Sequence, residues 1–326
     1  MKIQIKNILK IIISLVFLTL VLVRVDFSQI WKNLQYLSFY FVIFALLYYA
    51  LCQCLSCLRW QIILQSTGYS VSMGTLLSSY FGGMFLNTFL PGTIGGDVYR
   101  IYRINRKIGE SESAFVSVFL ERIMGISALL AMALISFPLS FSLVGRWDII
   151  LLLFICTIIL LGCVMLVASP KLLLWLEPWS EKFHLEFYLE NIAARVAKVQ
   201  ILLRQFAQHH IALVLTLGLS LLFQLLVVFY YYLISQQLKI PISYWQLLVF
   251  NAIITVVTFL PISLGGLGVK EGLLAYLFSR VALTIEQAVL LSLTVTALTW
   301  LLNLVGGLSL LLDSTGFQEA KQSKHK

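Results

Sequence analysis

Charge is what this chain most conspicuously lacks. Of 326 residues 11% are charged and 60% hydrophobic, and mean hydropathy is +0.95. Soluble domains carry roughly 25% charged residues, so a solvated globular domain is excluded for want of polar surface. Histidine is also rare: His184, His209, His210 and His325 are all there are. None lies near the proline-glycine stretches described below, which removes the usual acid–base catalyst from them. Cys52, Cys54, Cys57, Cys156 and Cys163 all fall in apolar runs. "CQCLSC" has no second cysteine pair and no nearby histidine, so these read as buried small hydrophobes rather than a zinc or redox centre. No glycine-rich stretch ends in a lysine-serine/threonine pair, which excludes a nucleotide-binding loop. No serine-lysine or paired-aspartate arrangement marks an intramembrane enzyme. No cofactor is expected, and nothing points to nucleic acid.

What is present is a series of long apolar runs, at about 11–23, 37–58, 72–90, 113–137, 149–168, 211–236, 244–260, 272–279 and 285–312. A crossing needs about 20 residues. The first run follows Lys2, Lys6 and Lys10 like a secretory signal, but no small-x-small cleavage site follows, so it reads as a retained span. Runs 72–90 and 244–260 each end in a proline-glycine break. The basic residues orient the spans. With a cytoplasmic N-terminus, a full crossing by 72–90 would put Arg100, Arg103, Arg106 and Lys107 outside. A re-entrant pair, entering at about 74–89 and returning at about 97–107, removes that conflict. The resulting topology has 16 basic residues inside, Arg59 among them, 5 outside, and Arg122 and Lys270 in the membrane. Both termini are then cytoplasmic. The expected fold is an all-α polytopic integral membrane protein of six full spans and two re-entrant broken-helix hairpins.

The two breaks are copies of one motif. "TFLPGTIGG" (Thr88–Gly96) and "TFLPISLGG" (Thr258–Gly266) match at six of nine positions, at an offset of 170 residues. The charge-derived topology makes one copy enter from the cytoplasm and the other from outside. That is an inverted repeat with broken helices, a transporter build. It divides a single transmembrane domain, 1–312, into repeat one (about 37–137) and repeat two (about 211–312). An amphipathic cytoplasmic linker, 169–210, joins them, and a short cytoplasmic tail, 313–326, follows. Hydrocarbon cannot satisfy backbone freed by Pro91, Gly95, Gly96, Pro261, Gly265, Gly266 and Gly268, so these must be sheathed in protein or line a wet cavity.

Candidate site residues follow from charge at depth. Asp97 starts the returning half-helix, either as a cap alone or as a cap that also pairs with a cation or substrate group. Arg100 lies one turn on, with a donor fork suited to a phosphodiester. Arg103 is a second phosphate contact or a snorkelling anchor. Glu121–Arg122 pair across the bundle or touch substrate or protons. In the second copy Lys270 aligns with Arg100, and Glu271 is the carboxylate expected to face the cavity. Asn87 and Asn251 are lesser polar wall candidates.

"NTFLPGTIGGDVYRIYR", Glu121–Arg122 and "PISLGGLGVKEG" together make the chain resemble the membrane, flippase-like region of the bacterial lysylphosphatidylglycerol synthase/flippase family. The likeness extends over about residues 8–312. It implies functional positions at Asn87, Pro91, Gly95, Gly96, Asp97, Arg100, Arg122, Pro261, Gly265, Gly266, Gly268 and Glu271. Ser263 departs from the family pattern. The two-part relatives add a soluble synthase, for which "DSTGFQEAKQSKHK" leaves no room, so a lysyltransferase activity is not expected. The resemblance implies movement of an anionic or aminoacylated phospholipid, or a polyprenyl-phosphate lipid, between leaflets of the cytoplasmic membrane. The alternative is an accessory protein that regulates a lipid-modifying or glycosyl-transfer enzyme. Membrane lipids, and a separate synthase or glycosyltransferase, are the candidate partners.

Overall fold

The computed structural model describes residues 34–89, 94–144, 186–259 and 268–323, with a few isolated positions besides, and every regular element among them is helical. In chain order these are α1 (Phe39–Ser66), α2 (Met73–Phe89), α3 (Ile94–Ile108), α4 (Ser111–Val144), α5 (Glu186–Gln208), α6 (His210–Gln237), α7 (Tyr244–Phe259), α8 (Val269–Ser279) and α9 (Ile285–Ser323). Four contain a stretch long and apolar enough to cross a membrane: Phe39–Ser66, Ser111–Met132, His210–Gln237 and Ile285–Gly307. They match four of the six expected spans. The other two, at about 11–23 and 149–168, lie outside the described residues. The chain is therefore a multi-pass helical membrane protein.

Side-chain caps set the helix starts. Ser38 Oγ accepts from Phe41 N at 3.2 Å and opens α1. Ser243 and Gln246 cap α7 reciprocally, Gln246 Oε1 taking Ser243 N–H at 2.9 Å and Ser243 Oγ taking Gln246 N–H at 3.2 Å. Thr284 and Gln287 repeat the device at α9. These satisfy N–H groups that helix geometry leaves without partners. At the other end of α1 the chain turns through Gly68 at φ +91°, a backbone region open chiefly to glycine.

The described helices that flank the two prolines are short. α2 has 17 residues and α3 has 15, or about 26 and 22 Å at 1.5 Å per residue, each short of a hydrocarbon core of about 30 Å. α7 has 16 and α8 has 11. α2 packs on α3, and α7 on α8. Between α2 and α3 the backbones nearly touch. A Cβ on Gly96 would land on the Gly83 carbonyl oxygen and 2.7 Å from the Asn87 side chain, so glycine is what allows this approach. Pro91, Pro261, Gly265 and Gly266 lie outside the described residues.

The bundle is knit across its halves. α1 packs on α6, α2 on α9, and α4 on α7; α1 also meets α2, α4 and α9, while α6 meets α4, α7 and α9. Gly306 and Gly307 let α9 press against α2 at Phe81 and Phe85, and Asn303 Nδ2 donates to Thr88 Oγ1 at 2.9 Å. One large apolar core runs through α4, α6, α7, α8 and α9 around Tyr230, Phe250 and Phe278. A smaller one, around Trp60, Leu64, Leu76 and Ile104, ties α1 and α2 to α3.

Candidate functional site

The polar residues of the first half converge on one cavity of about 320 Å³, walled by α1, α2, α3, α4, α6 and α7. Its charged lining is Arg59, Asp97, Arg100, Glu121 and Arg122. At helical spacing Asp97 and Arg100 share a face of α3, and the same side continues past them as Ile101, Ile104 and Ile108, which pack against the smaller core. The lining therefore holds three guanidiniums and two carboxylates, one net positive charge.

These groups form a single network. Glu121, 2% exposed, accepts from Arg59 Nη2 through Oε1 and from Arg100 Nη1 through Oε2 at 3.0 Å. Arg100 Nη1 also reaches Asp97 Oδ1 at 3.4 Å. Arg122 clasps Asp97 with two donors, Nε to Oδ2 and Nη2 to Oδ1, both at 2.8 Å. Arg59 Nη1 donates to Ser220 Oγ on α6 at 3.0 Å. The faces of the Arg100 guanidinium are covered by aromatic rings, Trp60 at 4.1 Å and Tyr80 at 4.4 Å, a favourable arrangement for a desolvated cation.

The donors exceed the acceptors. A guanidinium has five N–H bonds to place, yet Arg59 Nε and both Nε and Nη2 of Arg100 are buried without a hydrogen-bond partner among the described residues. Arg59 and Arg100 are 4% and 3% exposed. Buried charged donors without acceptors are costly, and an anion in the cavity would relieve that cost.

Several sequence expectations take a different form here. Asp97 lies in the first turn of α3, and its carboxylate is engaged with Arg122 and Arg100. The Gly96 N–H is instead satisfied by Asn87 Oδ1 at 2.7 Å, so the end of α2 caps the start of α3. Arg59, expected as a cytoplasmic anchor, is corrected to a buried member of the network, because α1 continues through Trp60 to Ser66 rather than ending near residue 58. Arg103 donates to Tyr99 on its own helix at 3.4 Å and does not line the cavity. Gly95 lies in the first turn of α3.

Glu271, expected to face the cavity, is fully buried away from it. Its Oε2 accepts from Gly268 N at 2.7 Å and its Oε1 from Ser292 Oγ at 2.9 Å. It thereby caps α8 and fastens it to α9. Lys270 Nζ donates to Thr296 Oγ1 at 3.2 Å and lies 5.5 Å from the Tyr231 ring centre. Asn251 does line the cavity, from α7. Trp60, Tyr80, Gly83 and Ser220 carry no sequence signal beyond their residue types, yet they sheathe, admit or anchor the arginines.

No curated protein and no solved structure matches the chain. A family model does, over residues 7–307, and it contains the whole of this network. The chain belongs to the family described as the lysylphosphatidylglycerol synthase TM region.

Proposed function

We propose that this protein moves a lipid with a phosphate-bearing headgroup between the two leaflets of a membrane. One observation carries the reading: Arg59 and Arg100 line a cavity between the helices, and both have buried N–H groups with no acceptor among the described residues. A phosphate would supply oxygens to those donors, in a fork geometry that suits guanidinium. The cavity volume suits a headgroup rather than a whole lipid, so the tails would stay in the bilayer.

The packing pattern supports an alternating mechanism. Exchange α1, α2, α3 and α4 for α6, α7, α8 and α9. The contact of α2 with α9 becomes that of α7 with α4, α1 with α4 becomes α6 with α9, and α2 with α3 becomes α7 with α8. The pairing of α1 with α6 returns to itself. Such exchange symmetry is what two structural repeats would produce; in this reading they insert in opposite directions, and rocking of one against the other would expose a central site to each side in turn. In this reading the protein sits in the cytoplasmic membrane with both termini cytoplasmic.

The test is translocation of a chain-labelled phosphatidylglycerol in reconstituted vesicles, read by a quencher that reaches only the outer leaflet. Arg59→Gln and Arg100→Gln should slow it severalfold or more, with folding checked by size-exclusion and thermal unfolding. Equal rates for wild type and folded variants would overturn the proposal and favour an accessory role.

A further inference from the structure

We infer that the cavity has a second, uncharged part, in which Gln53 and Asn251 hydrogen-bond hydroxyl groups that the headgroup carries beyond its phosphate. The inference rests on the lipid-translocating reading above and adds a specificity determinant to it.

Gln53 comes from α1 and Asn251 from α7, and both line the cavity. They are 3% and 6% exposed, and neither amide has a hydrogen-bond partner among the described residues. Ser56 Oγ and Thr294 Oγ1 also have none, but those atoms are enclosed. Gln53 and Asn251 instead open onto the cavity. Two other amides of the lining are spent within the protein. Asn87 Oδ1 accepts from Gly96 N–H, and Gln224 Nε2 donates to Gly125 O at 3.4 Å.

The amides and the arginine network occupy different levels of the bundle. Arg59 donates to Ser220, and Tyr48 Oη donates to the Leu226 carbonyl at 3.1 Å, so α1 and α6 run antiparallel. Gln53 precedes Arg59 by about 9 Å along α1 at 1.5 Å per residue. Gln224 lies about 6 Å beyond Ser220 along α6, in the same direction. α7 contributes Asn251 and Thr255 to the lining and no charge. The cavity thus runs from a charged end at Arg59, Arg100 and Glu121 to a neutral end, and a phosphate held at the first would send its glycerol or sugar toward the second.

The chemistry of an amide names the group that suits it. Each amide presents two N–H donors and a carbonyl acceptor, and a hydroxyl, which both donates and accepts, satisfies either side. A burial that leaves the amide unpaired is costly. An alkyl chain in the same place would displace water from both amides and return no hydrogen bond. Sites built to bond a hydroxyl reject the analogue that lacks it for this reason.

The experiment compares chain-labelled phosphatidylglycerol with chain-labelled phosphatidylpropanol, which has the same charge and carbon skeleton but no headgroup hydroxyl. Translocation is read as above in phosphatidylcholine vesicles holding the full chain, with protein-free vesicles subtracted. Equilibrium binding of both lipids to the protein in nanodiscs is read separately. Phosphatidylglycerol should be preferred by about tenfold in both, the worth of one or two hydrogen bonds to neutral groups. Gln53→Met and Asn251→Leu should each narrow the gap severalfold by weakening phosphatidylglycerol more than phosphatidylpropanol, a selective change that a purely structural role would not give. Either variant serves if the other does not fold. Equal binding of the two lipids by wild type overturns the inference, as does a gap that the folded variants leave unchanged. Translocation of both lipids without preference would keep the transport reading and remove the hydroxyl subsite. The expected binding preference without translocation would do the opposite, and absence of both would remove both.

Discussion

Arg122 and Asp97 meet edge to edge across a gap of 25 residues, joined by two N–H···O bonds of 2.8 Å. The pair fastens α4 to the first turn of α3, just after the break. Lysine would keep the charge at 122 but could not present two parallel donors. Arg122→Lys should therefore cost about 1.5–3 kcal/mol, the worth of a hydrogen bond to a charged group. Thermal unfolding in detergent would measure it, and a variant as stable as wild type would show that charge alone holds α3 in place.

Glu121 is the centre of the network, and removing its charge should hurt more than removing a partner with it. Glu121→Gln leaves Arg59 and Arg100 buried around a neutral amide, at a cost of about 3–5 kcal/mol. Combining it with Arg59→Gln withdraws one of the stranded cations and should recover part of that loss. A double-mutant cycle with coupling near zero would mean that the two side chains act independently.

Much of this was visible in the sequence, and the reasons for the remainder are specific. Proline cannot continue an ordinary helix, and α2 ends at Phe89 and α7 at Phe259, each two residues before the proline of its motif. Charge within a span needs a partner, which singled out Asp97, Arg100, Glu121 and Arg122. Arg59 escaped because lysine/arginine bias treats a cation at the end of an apolar run as an anchor, and only packing reveals that α1 runs on past it. Glu271 was read from its place in the second copy of the motif and its depth. Its two acceptor oxygens are taken by Gly268, three residues away, and by Ser292 on another helix, and only the first partner is local in sequence. The aromatic cover of Arg100 depends on helix rotation, which a uniformly apolar sequence does not specify.

The contact between α2 and α3 yields a prediction of opposite signs. Gly96→Ala would drive a methyl group into the Gly83 carbonyl and the Asn87 side chain, neither of which can move without disturbing the start of α3. Overpacking of this kind costs about 1–3 kcal/mol. Gly218, in α6, has no atom within 4 Å of where its Cβ would stand, so Gly218→Ala should leave stability unchanged or raise it by up to about 1 kcal/mol through helix propensity. Thermal unfolding of the two variants side by side is the measurement, and equal shifts would refute the close approach.

A pH dependence is expected at Glu110, in the turn between α3 and α4. Lys198 on α5, then Ser113 and Tyr69, hold its carboxyl below the ordinary value of 4.5, down to about 2. Because the folded state binds the proton less readily than the unfolded chain, the contact stabilises the protein above pH 4.5. That contribution fades as pH falls toward 2. Hydrogen exchange in α5 should accelerate across that window in wild type. In Lys198→Ala it should already be faster at neutral pH and change less on acidification. An identical acid response in both would mean that this ion pair does not hold α5 to the turn.

Glu271 separates a structural carboxylate from a transporting one. Glutamine at this position keeps an acceptor for the Gly268 N–H but turns an amide donor toward Ser292 and loses the charge at the start of α8. Weakening a cap of this kind costs about 0.5–2 kcal/mol. Glu271→Gln should therefore lower the unfolding temperature by a few degrees while leaving translocation per folded molecule as in wild type. Arg100→Gln should do the reverse to function, slowing translocation in protein that is still folded. The contrast follows from position: Arg100 lines the cavity and has buried donors without a partner among the described residues, whereas Glu271 is enclosed between α8 and α9 with both oxygens occupied. If Glu271→Gln abolished translocation without loss of stability, the second half would contribute charge chemistry to the path, and the site would extend beyond the cavity defined by the first.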